Sequence, residues 1–246
     1  MLYQEYFQRA HELLKEVFDR QAENIIRAAQ MVTDCVRRDG ILFVFGCGHS
    51  HMIAEEMFYR AGGLAPVSAI LLDELMLHKS AVGSSRMEQT EGISPRLFDE
   101  YKISPKDLLL IVSTSGVNAA PVEMALKAKR NGVGVLCVSS SAYADETPRH
   151  LGGARLSEIA DLSLDNGVPL GDACVYPGGG TVAAGPVSTL LSAMLVNCIV
   201  VQVAENLEQL GIEAPVYRSG NVEGGAEQNV RLIEAYRERV RLLDPR

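Results

Sequence analysis

Residues 107–132 read DLLLIVSTSGVNAAPVEMALKAKRNG, and the fold turns on how this stretch is divided. Its first part is a continuous apolar run of strand length, which indicates a strand buried on both faces. From Asn118 onward the apolar spacing becomes helical: Asn118 suits an N-cap, Pro121 the first turn, and Lys127, Lys129 and Arg130 the last, with Gly132 ending the helix. Between strand and helix lies Ser113-Thr114-Ser115-Gly116, a loop with three hydroxyls and a glycine.

The same alternation recurs along the chain. Leu2, Tyr6, Ala10, Leu13, Val17 and their successors to Val36 have the three-to-four spacing of one long helix closed by Gly40. ILFVFG (41–46) is a buried strand and residues 50–61 return to helical spacing. APVSAILLD (65–73) and GVGVLCVSS (132–140) read as further strands. A last helix is expected over 184–210, opened by Gly185-Pro186. Strands without alternation between helices require a parallel sheet covered on both faces, so the fold class is α/β. Residues 139–183 are the least regular.

Composition narrows the function. The 246 residues are 47% hydrophobic and carry a formal net charge of −8, which disfavours a nucleic-acid backbone as partner. Five cysteines without a C-x-x-C pair indicate neither a disulfide framework nor a zinc knuckle, and fit a reducing cytoplasm. The charged N-terminal stretch lacks the apolar segment of a signal peptide. GPVSTLLSAMLVNCIVVQVAENL (185–207) contains Ser192, Asn197 and Gln202 and has no basic flank, so a buried helix is expected and not a membrane span.

Two loops carry chemistry. In FVFGCGHSHMIAEE (43–56), Gly46 and Gly48 permit a tight turn and Ser50 stands where a helix begins, so N–H groups and a hydroxyl converge as at an anion site. An ordinary capped turn explains the same residues, and so does a partial dinucleotide fingerprint with Asp73 after the next strand, although His51 occupies its third glycine position. In STSGVN (113–118), three hydroxyls and a helix N-terminus match the oxygens of a phosphate monoester, whereas a turn rich in serine is the plainer alternative. Both loops follow strands whose carboxyl ends are where open α/β sheets bind ligands.

FGCGHSH and LLIVSTSGVN resemble the two phosphate loops of the SIS (sugar isomerase) domain family, over about residues 35–205. TPRHLGGARL, LDNGVPLGDA and PVYRSGNVEGG extend the similarity towards the C-terminus, to a bacterial branch resembling the phosphoheptose isomerases. The resemblance implies a three-layer α/β/α sandwich with a five-stranded parallel sheet, one SIS-like domain over 1–246 with helical extensions at both ends, and a homodimer. It further implies Ser50, Ser113, Ser115 and Thr114 around a phosphorylated sugar, with Gly48 and Asn118 completing the set.

Departures from the family pattern set limits. Where phosphoheptose isomerases have a histidine and, four residues on, a glutamate, Glu56 and Arg60 stand here, so that metal site does not transfer, and neither a metal nor a cofactor is expected. The N-terminal helix is too short for the helix-turn-helix of the regulators. His51 and Glu55, at i and i+4 with His49 nearby, offer a metal pair or a surface pair. Glu88 and Glu91 lie on a segment the family plan puts near the ligand, though exposed glutamates are ordinary. Arg149 and His150 follow in the irregular region, where Asp165, Asn166 and Asp172 suit turns. For an aldose–ketose isomerisation, Glu91 is the expected base and His150 the proton donor, with His51 in reserve. A sugar-phosphate sensor without turnover and a lyase acting on an aminosugar phosphate are the alternatives.

Overall fold

The computed structural model describes residues 1–244. The chain opens with α1 (Leu2–Arg37), whose apolar stripe, from Ala10 through Leu13, Val17, Ile25 and Val32 to Cys35, is buried. Four strands follow in chain order among helices: β1 (Leu42–Gly46), α2 (His51–Met57), β2 (Val67–Ile70), α3 (Ala81–Met87), α4 (Ile93–Glu100), β3 (Leu108–Val112), α5 (Ala119–Arg130) and β4 (Gly134–Ser139). Next come α6 (Leu156–Ile159), β5 (Leu162–Asp165), a hairpin of β6 (Ala173–Val175) and β7 (Ala184–Pro186), α7 (Ser188–Gln209) and α8 (Gly225–Tyr236).

The five strands β1 to β5 form one parallel sheet in the order β2-β1-β3-β4-β5. Alternate side chains feed two cores. Leu42, Val44, Leu108, Leu110, Leu136 and Val138 face α1, α2 and α7. Phe43, Phe45, Leu109, Ile111, Val135 and Cys137 face α4 and α5. This two-sided burial is why the central strands read as unbroken apolar runs.

Among the described residues, α7 is the one helix long and apolar enough to cross a membrane. Its Leu191, Leu195, Val196, Ile199, Val203 and Leu207 are instead buried in the core. Asn206 donates to Thr33 of α1 and Asn166 donates to Ser192 within the helix, so its polar positions are partnered.

Three sequence expectations change. The fifth strand, Leu162–Asp165, lies inside the segment read as irregular; as an edge strand it buries only Leu162 and Leu164 and leaves Ser163 and Asp165 half-exposed. Gly185 and Pro186 do not open the last helix. They pair in β7 with β6, where Gly185 has φ +76° and any Cβ would meet the Tyr6 ring at 2.5 Å. The helix starts at Ser188 because Asp172 caps it from a distance: its carboxylate accepts Val187 N–H (3.0 Å), Ser188 N–H (2.8 Å) and the Ser188 hydroxyl (2.7 Å). The helix expected over 50–61 ends early, at Met57.

Candidate functional site

Gly46 at the end of β1 pairs with Val112 at the end of β3, so the two polar loops leave the sheet side by side. Between β1 and β3 the strand order reverses, which opens a crevice at the carboxyl ends. A cleft of about 230 Å³ lies there, lined by Cys47, His49 and Ser50 from the first loop and by Ser113, Thr114, Ser115 and Asn118 from the second, with Glu88 from the end of α3. Tyr143, Asp172 and Ser188 close its far wall.

Both loops are held in tight turns. A Cβ on Gly46 would lie 2.5 Å from the Ser50 carbonyl oxygen, so only glycine permits the first bend. Gly116 takes φ +63°, and its N–H donates to Ser113 Oγ at 3.3 Å. Ser140 N–H donates to the Thr114 carbonyl at 2.8 Å, tying the second loop to the end of β4.

The donors in the cleft are mostly uncommitted. Ser50 occupies the N-cap position of α2 without making a side-chain cap bond. Among the described residues, the Ser50, Thr114 and Ser115 hydroxyls have no protein partner, and the N–H groups of Thr114, Ser115, Val117 and Asn118 have no protein acceptor. Backbone donors in a buried turn are nearly always paired, so such a concentration selects for an acceptor with several oxygens.

Two carboxylates line the cleft; Asp172 is committed to Val187 and Ser188, and Glu88 is the other. Its backbone carbonyl accepts Ala120 N–H at 2.9 Å, which docks the end of α3 on the first turn of α5. The Asn118 amide donates to Glu88 Oε1, and Arg149 donates to Asn118 Oδ1 at 2.6 Å. Glu88 Oε2 points to the first loop, 3.9 Å from where a Gly48 Cβ would be. Burial pushes the carboxyl above its ordinary range, and the Arg149 charge offsets part of the shift.

Glu91 and His150 do not line this cleft. They meet Glu123 in a second cluster, in which His150 is the chain neighbour of Arg149. The reason is local: α3 ends at Met87, and the chain continues in tighter turns, with Gln89 N–H on the Arg86 carbonyl and Thr90 N–H on the Met87 carbonyl, so Glu91 leaves the helix face that Glu88 occupies. His51 is 7% exposed and faces back into its own loop, with Nδ1 on the Gly48 carbonyl and Nε2 3.8 Å from Glu55. His49 is the histidine that reaches the cleft. Of the expected phosphate residues, Ser50, Ser113, Thr114, Ser115 and Asn118 come together at its wall, with Gly48 at the bend beside Glu88.

This arrangement defines a class. The SIS domain family matches over residues 5–140, and the chain belongs to that family. Relatives across almost the whole length are UPF0309 proteins: one from Caldanaerobacter subterraneus subsp. tengcongensis is 41% identical over 97% of this chain and 98% of its own, and one from Geobacillus thermodenitrificans is 40% identical over 97% and 96%. Among solved structures, phosphoheptose isomerases from Francisella tularensis and Neisseria gonorrhoeae share the fold. The first has a TM-score of 0.55 at 18% identity, covering 82% of this chain and 96% of its own; the second has 0.54 at 16%, covering 82% and 98%.

Proposed function

We propose that the chain binds a phosphorylated sugar in the cleft between the two loops and interconverts its aldose and ketose forms. One observation carries this reading: unpartnered hydroxyls and backbone N–H groups from two loops surround a space that also contains a half-buried carboxylate of raised pKa. The phosphate oxygens accept from Ser50, Ser113, Thr114 and Ser115 and from the amides at the start of α5, whose dipole favours the negative charge. Such local donors are what an anion requires on a chain with net charge −8.

The chemistry follows from Glu88. Its Oε2 takes the proton from the hydroxyl-bearing carbon next to the carbonyl, a donor in the cleft holds the enediolate oxygen, the hydroxyl proton passes from one oxygen to the other, and the first proton returns from Glu88 to the former carbonyl carbon. Nothing is oxidised or reduced overall, and no leaving group departs. His49, at the rim, is the candidate donor.

The test is incubation with a panel of aldose and ketose phosphates followed by product identification. Interconversion is expected. Binding without turnover across the panel would favour a sensor, and loss of a substituent from an aminosugar phosphate would favour a lyase. Inclusion of a bound sugar phosphate raises the melting temperature of wild type, and Ser115→Ala loses much of that rise, because one charge-assisted hydrogen bond contributes about 1.5–3 kcal/mol. Equal shifts in the two proteins would remove Ser115 from the site.

A homodimer is part of the proposal. Tyr3, Phe7, Phe18 and Ile26 on α1 stay exposed, as do Leu190 and Val201 on α7, more large apolar surface on two adjacent helices than a monomer ordinarily shows to water. Light scattering at micromolar concentration should give about twice 26.7 kDa. A monomeric mass would contradict it.

A further inference from the structure

We propose that Glu91, Glu123 and His150 form a binding site for one divalent transition-metal ion. The three residues come from separate parts of the chain: the turn between α3 and α4, the second turn of α5, and the loop before α6. One ligand atom from each lies within 4.8 Å of the other two, and all three side chains are half-buried. Ligands at the usual distances from zinc are about 3.4 Å apart, so modest side-chain rotation closes the triangle. An imidazole with two carboxylates suits zinc or manganese and is a poor match for calcium, which takes oxygen ligands alone. Three protein ligands leave a fourth position for water.

The surroundings aim these groups inward. Both Glu123 oxygens accept Gly92 N–H, at 2.9 and 2.8 Å, and Glu91 Oε1 accepts Leu151 N–H at 2.7 Å. His150 Nε2 stands 3.8 Å from Glu91 Oε1. Gly152 N–H donates to His150 Nδ1 at 3.1 Å, which places the ring proton on Nε2, towards Glu91. Coordination through Nε2 displaces that proton and requires one on Nδ1, so the Gly152 amide is released when the ion binds.

The site fastens the loop containing residues 149–151 to α5. Arg149, the neighbour of His150, donates to Asn118, which donates to Glu88, so the ion would hold that chain of contacts from behind. Nothing in this inference depends on which ligand occupies the cleft.

Calorimetric titration of chelator-stripped protein with Zn²⁺, and separately with Mn²⁺, tests it. One ion per chain is expected for at least one metal, with faster hydrogen exchange at the Gly152 amide once the metal is added. Glu123→Gln keeps the size of the side chain and an oxygen for Gly92, and His150→Ala removes the imidazole; each should weaken binding about 100-fold or more while the metal-free melting temperature stays near wild type. The double variant His49→Ala, His51→Ala should bind as wild type does. Absence of saturable binding in wild type, retention of binding by Glu123→Gln or by His150→Ala, or its loss in the His49, His51 variant would overturn the proposal.

Discussion

Glu88→Gln should lower turnover of a sugar phosphate by about 10²–10⁴-fold while affinity for the phosphate stays within a few fold. The substitution preserves the oxygen that accepts from Asn118 and removes only the ability to take a proton. Since a base works when ionised, kcat/KM should fall as pH drops through the carboxyl's pKa. That acid limb should lie above the ordinary carboxylate range, because burial raises the Glu88 pKa by more than Arg149 lowers it. Arg149→Met should shift the limb further upward, as the offsetting charge is gone. Undiminished turnover in Glu88→Gln would remove Glu88 as the base.

The largest expected effect on stability is that of Asp107→Ala. This carboxylate is wholly buried at the foot of β3 and accepts Ile41 N–H (2.9 Å), Ser104 N–H (2.8 Å), the Ser104 hydroxyl (2.7 Å) and two bonds from Arg239 (2.7 and 2.9 Å). It therefore joins the start of the sheet to the segment after α8. Removing it strands several donors and one guanidinium, at a cost of about 3–5 kcal/mol and, for a chain of this length, about 10 °C in Tm. Arg239→Met should cost less, because the carboxylate keeps its three other donors and the Arg239 side chain is 30% exposed. A loss under about 1 kcal/mol in Asp107→Ala would show that the C-terminal segment docks without this link.

What could be read beforehand follows from burial. LLLIV and LFVFG are covered on both faces, so their patterns report the fold directly, and the serine loop stands out because it interrupts such a run. LSLD is short, alternating and at an edge, and among glycines and aspartates it has no composition that marks a strand. Glu88 and Glu91 illustrate a different limit. Three residues apart, they would share a helix face if the helix continued; the stop at Met87 and the tighter turns at Gln89 and Thr90 send them to different places. His49 and His51 divide likewise, since the short turn before α2 sends alternate side chains outward and inward. Asp172 was legible as a turn residue, but its partner Ser188 lies 16 positions away and leaves no local signature.

That distant cap also has a bearing on how the chain tolerates change. Asp172 grips Val187 and Ser188, and Ala173 pairs with Pro186, so the excursion from 173 to 186 leaves and re-enters the body at nearly one point. Its tip, Gly178 to Val182, is exposed and makes no side-chain hydrogen bond to the rest of the described residues. Segments fastened at the neck accept insertion and trimming at the tip, because the added length does not pull on either anchor. A graft of several residues between Gly179 and Gly180 is thus a site for a tag or label that leaves α7 seated and the cleft wall at Ser188 undisturbed.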